Sequence, residues 1–143
     1  GVLLLFGGGL SLAAAAQSTG LAAWIGNLMP LGLSMALLII MFTTLIIFLT
    51  ELTSNLATTA TFLPIVAIIA TQFGFDPLLL TASIAIAASC AFMLPVATPP
   101  NAIVFGSELI KVPQMMRAGI VINLIAILVV TLAGLYLVPL FLI

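Results

Sequence analysis

"TELTSNLATTATFLP", Thr50 to Pro64, gathers five threonines, a serine, an asparagine and a glutamate between two apolar runs. The reading of this stretch decides the fold, because polar groups at such density interrupt an otherwise unbroken aliphatic helix. Leu31 to Leu49 leads into it, and Phe62 to Phe73 leads out. At 1.5 Å per residue the second limb, about 12 residues, rises only roughly 18 Å, short of a ~30 Å hydrocarbon core. It reaches halfway. The stretch is therefore predicted to be the tip of a helical hairpin that enters a membrane and returns to the same side.

Composition makes the membrane the natural solvent. The chain of 143 residues is 65% hydrophobic and 3% charged, with a mean hydropathy of +1.54. An ordinary soluble domain is roughly 45–50% apolar and 25% charged. The runs Leu31 to Leu49, Leu78 to Leu94 and Ala118 to Ile143 are each about long enough to cross a bilayer. The expected class is an all-α, polytopic integral membrane protein. A net charge of −1 offers no basic surface for nucleic acid and no charged tail. Cys90 is the sole cysteine and there is no histidine, so neither an internal disulfide nor a zinc site can form. Cys90 reads as a small buried apolar residue. With no serine–histidine pair or carboxylate pair, the chain is not expected to be an enzyme. It begins at Gly1, inside apolar sequence without the basic start of a signal peptide, and is expected to be a C-terminal piece of a longer polypeptide.

Outward from the opening stretch, the segments are unequal. Gly1 to Ala16 is apolar with a Gly7-Gly8-Gly9 interruption, which predicts a helix that bends or lets another backbone approach. Gln17 to Gly20 breaks it. Leu21 to Leu28 carries Trp24 and Asn27 and is too short to span; it fits a short interfacial helix, with a plain loop as the alternative. On the other side Gly74-Phe75-Asp76-Pro77 reads as a turn and a helix start, Asp76 capping and Pro77 in the first helical position. The run Leu78 to Leu94 then meets Pro95, Pro99 and Pro100. Three missing donors and three restricted preceding residues force the helix open. Asn101 is expected to cap a second half-helix, Ala102 to Ile110.

Unpaired backbone in lipid costs several kcal/mol per group, so two polar breaks at membrane depth must be satisfied by protein, water or ligand. This is the pattern of a binding site in a secondary transporter. Hydroxyls, amides and helix N-termini suit a carboxylate or other oxyanion, while unwound carbonyls and hydroxyl oxygens suit a small hard cation. Neither break holds a lysine, arginine or histidine. An anion there needs a cation beside it, with sodium as first candidate and proton coupling through Glu51 as the weaker one. Glu51 is otherwise expected to accept hydrogen bonds from N–H groups of the hairpin tip. The bland readings are that the threonines bond their own helices and that the prolines make only a structural kink. Asp76, Glu108, Lys111 and Arg117 are read as capping or anchoring groups at membrane edges.

The stretch "ASCAFMLPVATPPNAIV", Ala88 to Val104, resembles the signature of the divalent anion/sodium symporter family. The opening stretch is similar to the family's second Ser-Asn-Thr hairpin tip, and the likeness is nearest to bacterial sodium-coupled dicarboxylate transporters. The resemblance implies that Ser54, Asn55, Leu56, Thr98 and Pro99 form a substrate site. It also implies that Thr50, Thr53, Asn55, Ala97 and Pro99 hold sodium, some through backbone carbonyls. Leu56 stands where many members have threonine, which removes one hydroxyl from the expected site. The resemblance further implies the second half of an inverted-repeat fold, a homodimer in a bacterial inner membrane, and elevator-like movement. Residues 1–30 would belong to the scaffold side. Residues 31–143 would form the transport-domain part, with a hairpin over 31–73, a broken helix over 77–110 and a last transmembrane helix over 114–143.

Lys111 and Arg117 are the only basic residues, so the connection holding them is expected to be cytoplasmic. The Gly74 to Pro77 turn and the hairpin entrance then lie outside. The expected function is sodium-coupled transport of di- or tricarboxylates, with no cofactor. The partners are the anion, sodium, lipid, a missing N-terminal half and a second copy. A sulfate or other oxyanion symporter and a dicarboxylate exchanger remain alternatives, as do an anion channel and a structural membrane subunit.

Overall fold

The computed structural model describes residues 2–28 and 33–142. Among them every regular element is helical: α1 Val2–Ser18, α2 Leu21–Leu28, α3 Met35–Thr50, α4 Asn55–Gln72, α5 Pro77–Ala87, α6 Pro99–Gly106, α7 Val112–Leu132 and α8 Val138–Leu142, the last two joined by a π-helical turn over Ala133–Leu137. The all-α class is as expected. The expected division between residues 30 and 31 lies outside the described residues, as do residues 1 and 143.

Local chemistry accounts for most boundaries. Asp76 Oδ1 accepts from Leu78 N at 2.8 Å with Pro77 in the first turn, as the sequence predicts. Ser34 Oγ accepts from Leu37 N and opens α3. Gly20, at φ +71°, ends the first helical stretch in a conformation that costs glycine little. The stretch Leu21–Leu28 is helical rather than a loop, with Trp24 largely exposed. At Gly7 and Gly8, however, α1 runs on unbroken, and a Cβ at either would meet nothing within 4 Å. No backbone approaches closely at Gly7 or Gly8 among the described residues.

Three helices differ in their limits from expectation. The second hairpin limb starts at Asn55, not Phe62, and its 18 residues rise about 27 Å. By length and apolarity α4 can cross a membrane, as can the run Val112–Phe141. The half-length reading fails because it treats the threonines as helix breakers. Thr59 instead donates to Asn55 O at 2.8 Å, which satisfies the hydroxyl inside the helix. Conversely, α5 stops at Ala87, seven residues before Pro95's neighbour Leu94. α6 occupies Pro99–Gly106 rather than 102–110. Prolines do not end α5; competing side chains do.

The hairpin is splayed. Contacts between α3 and α4 are sparse, whereas α5 packs against both, α1 lies along α4, and α7 packs on α3 and α5. Leu38, Ile39, Phe42, Ile46 and Ile47 of α3 form the core with Val66 and Ile69 of α4, Leu80 and Ile84 of α5, and Val130 of α7. In lipid this burial adds packing rather than a hydrophobic gain, so small residues and polar bonds matter more. Gly134 fits this rule: a Cβ there would run into Ser83 Oγ and lie 3.2 Å from Ile39 Cδ1. Ile120, Val121, Leu124, Ile125, Leu128 and Val129 of α7 face outward, a surface suited to acyl chains.

Candidate functional site

The tip Glu51–Ser54 meets the break between α5 and α6, and the two line an open cavity of about 910 Å³. Its walls are Leu52 to Leu56 on one side and Ser89, Ala91, Phe92 and Val96 to Asn101 on the other. Ser54, Asn55, Leu56, Thr98 and Pro99 are thus brought together, and Thr53 and Ala97 stand with them. Thr50 is the exception. It is fully buried behind the wall, where its Oγ1 lies 2.6 Å from Asn55 Oδ1 and 2.9 Å from the Ala88 carbonyl oxygen.

The two ends of the cavity differ in polarity. At the tip, Ser54 occupies the cap position of α4 without making a side-chain cap bond. The first intrahelical partner there is Thr58 N to Ser54 O at 2.9 Å. The N–H groups of Asn55, Leu56 and Ala57 precede that bond and have no carbonyl one turn back in the helix. They carry the positive end of an 18-residue helix. The start of α6 offers no such donors. Pro99 and Pro100 have no N–H, Thr98 Oγ1 accepts from Asn101 N at 3.4 Å, and Ala102 N donates to Thr98 O at 3.1 Å. Of the two helix N-termini expected to attract an anion, only α4 can do so.

Oxygens dominate elsewhere. The Thr50 hydroxyl has one proton for two oxygen neighbours, so three oxygens crowd round one hydrogen, a corner whose chemistry suits a small hard cation. Thr53 Oγ1 donates to Leu49 O at 2.9 Å and lies 2.6 Å from Thr58 Oγ1. Its hydroxyl is committed, and only its carbonyl is left for a ligand. No lysine or arginine lines the cavity. Among the described residues no group of three or more histidine, cysteine, aspartate or glutamate side chains could hold a metal ion, so a cation here depends on neutral oxygens.

Side chains hold the break open. Glu51, 3% exposed, accepts from Phe92 N at 2.7 Å, Met93 N at 3.0 and 3.1 Å, and Leu94 N at 3.1 Å. The expectation that it serves the hairpin tip is corrected: the tip lies beside it in sequence, but the carboxylate points across to the break. Nor does Asn101 cap α6 as expected. Thr98 holds that cap, and Asn101 Nδ2 instead donates to the carbonyls of Ala91 and Leu94 at 2.9 and 3.0 Å. α5 ends early because Thr50, Glu51 and Asn101 take the backbone groups that would continue its ladder.

Two contributors escape a reading of the sequence. Asn123 of α7, fully buried, donates from Nδ2 to Glu51 Oε1 at 2.8 Å. One turn earlier, a Cβ on Gly119 would stand 2.5 Å from Met93 Cα and from Phe92 O. An isolated asparagine within an apolar run was the available signal.

Comparison with known proteins places this geometry in context. The family described as "Sodium:sulfate symporter transmembrane region" matches residues 1–143. The chain is 47% identical over 141 residues to the sodium-dependent dicarboxylate transporter SdcS of Staphylococcus saprophyticus, and 48% identical over 141 residues to the protein of that name from Staphylococcus aureus strain MRSA252. Each alignment covers 97% of this chain and 27% of the relative, so the chain spans about a quarter of their length.

Proposed function

We propose, from the premise that this chain belongs to the sodium:sulfate symporter transmembrane family, that it forms one side of the binding site of a sodium-coupled di- or tricarboxylate transporter. Such a protein is a carrier and not an enzyme. The observation that carries the reading is the uncharged, polarised cavity between tip and break. A substrate carboxylate binds at the α4 end, on Ser54, Asn55 and the free N–H groups beside Leu56, with Thr98 and Pro99 opposite. Sodium binds among oxygens of Thr50, Thr53, Asn55, Ala97 and Pro99. Neutral donors alone compensate a dianion poorly in a low-dielectric site, so each ion favours binding of the other.

The carboxylate class rests on the dicarboxylate relatives. In this reading the chain works within a longer polypeptide of the bacterial inner membrane, paired with a second copy. Tip and break shift together relative to a scaffold that includes residues 1–30. The connection bearing Lys111 and Arg117 faces the cytoplasm. The test is uptake by the full-length protein in vesicles, with succinate, malate, citrate and sulfate compared in sodium and choline buffers. Saturable succinate uptake that requires sodium and is lost in Asn55→Ala is expected. Uptake indifferent to sodium, or to Asn55→Ala, would refute the assignment.

A further inference from the structure

We propose that Glu51 is the positioning residue of this site: its carboxylate clamps the hairpin tip to the break, with α7 as the backstop. The inference rests on the transport reading for its consequence, and on hydrogen bonds alone for its geometry. Three successive N–H groups, those of Phe92, Met93 and Leu94, point at one carboxylate. Such a run of amides is an anion-binding concavity, and here the anion is supplied from within the chain. Those amides are therefore closed to substrate, which leaves the α4 end as the anion's place.

The carboxylate also fixes the path of the chain beyond Leu94. That residue is two positions before Val96, where the break returns to the cavity wall after Phe92. On its other side Leu94 is held through its carbonyl by Asn101. Behind it, Asn123 donates to Glu51 Oε1, and Gly119 allows the backbone of Phe92 and Met93 to seat against α7. Glu51 directly follows Thr50, whose hydroxyl reaches Asn55 Oδ1 and Ala88 O. Tip and break are thus pinned as one body.

Every partner of this carboxylate is a donor, so only an acceptor at both oxygens satisfies the clamp. Oε1 receives Phe92 N, Met93 N and Asn123 Nδ2, and Oε2 receives Met93 N and Leu94 N. In Glu51→Gln an NH₂ group would face at least two N–H donors whichever way the amide is turned.

The experiment uses the full-length protein carrying this sequence, reconstituted in liposomes: distances are read between spin labels at Leu52 and Val96 on a background in which Cys90 and any other cysteine are replaced by serine, and uptake is measured on the unlabelled protein. Wild type is expected to give one narrow distance. Glu51→Gln should broaden it and raise the half-saturation concentrations for both succinate and sodium by roughly tenfold or more, the loss of charge-assisted hydrogen bonds. Mere loss of folded protein would lower the maximal rate and leave those concentrations unchanged. Should Glu51→Gln fail to fold, Asn123→Ala, which removes one donor, decides by a smaller change in the same direction. An unchanged distance with unchanged half-saturation in either variant overturns the proposal, as does a fall in maximal rate alone. If wild type shows no sodium-dependent succinate uptake, the transport reading fails, and the label distance still tests the clamp.

Discussion

Replacing Gly119 tests whether α7 presses on the break. A Cβ at this position would lie 2.5 Å from Met93 Cα and Phe92 O, and 2.7 Å from Phe92 C. Carbon atoms in contact sit about 3.5–4.0 Å apart, so α7 or the break must withdraw by roughly 1 Å. The obstacle is backbone, which cannot rotate away as a side chain does. Overpacking of this kind costs about 1–3 kcal/mol, while alanine gains up to ~1 kcal/mol over glycine inside a helix. Gly119→Ala should therefore lose about 0–3 kcal/mol. Gly119→Val is larger and a poorer helix former, and should lose more. A shift of 1 Å also exceeds what hydrogen bonds of 2.7–3.1 Å tolerate, so Glu51 should lose its hold on Phe92 to Leu94. The assay pairs thermal unfolding in detergent with calorimetric succinate binding in sodium, on the full-length protein. Unfolding temperature and affinity should fall together in the order glycine, alanine, valine. A valine variant that unfolds at the wild-type temperature and binds succinate normally would refute the packing argument.

Asn101→Ala frees the carbonyls of Ala91 and Leu94, at about 1–3 kcal/mol for buried groups left unpaired. Asn101→Asp should be worse, since it turns an acceptor toward those carbonyls; thermal unfolding of both variants checks the order. Thr50→Val keeps the side-chain shape but removes the hydroxyl between Asn55 and Ala88. Sodium half-saturation in uptake assays should rise several-fold in valine but not in Thr50→Ser, and equal values would exclude the hydroxyl from the cation's surroundings. Gly134→Ala drives a methyl group into Ser83 Oγ and should lower the unfolding temperature by a few degrees. Ser83→Ala in the same protein should restore most of it.

Much of this arrangement is legible because its causes are local. Asp76 and Pro77 mark the start of α5 by cap chemistry that acts within four residues. The cluster around Ser54 and the three prolines stand out because unpaired polar groups are costly in an apolar chain. What escapes the sequence is long-range. Proline is the visible breaker and points to an end of α5 at Leu94, yet the side chains that take its backbone groups from Ala88 onward, the Thr50 hydroxyl as donor and the Glu51 carboxylate as acceptor, lie 38 to 43 positions earlier. Thr58, Thr59 and Thr61 look like part of the tip, although threonine in lipid bonds its own or a neighbouring backbone readily and so permits helix.

The error over Glu51 shows what decides such cases. Beside the tip in sequence, its carboxylate has nearby amides to accept from, and proximity favours them. The structure spends it on Phe92 to Leu94, whose N–H groups have no helix of their own. The amides at the start of α4 are left free instead. One internal anion can satisfy only one of these two sets of donors. The first N–H groups of α4 therefore keep no side-chain partner, because the neighbouring carboxylate is engaged across the gap. In the proposed function, an anion from outside binds there only while Glu51 holds the break.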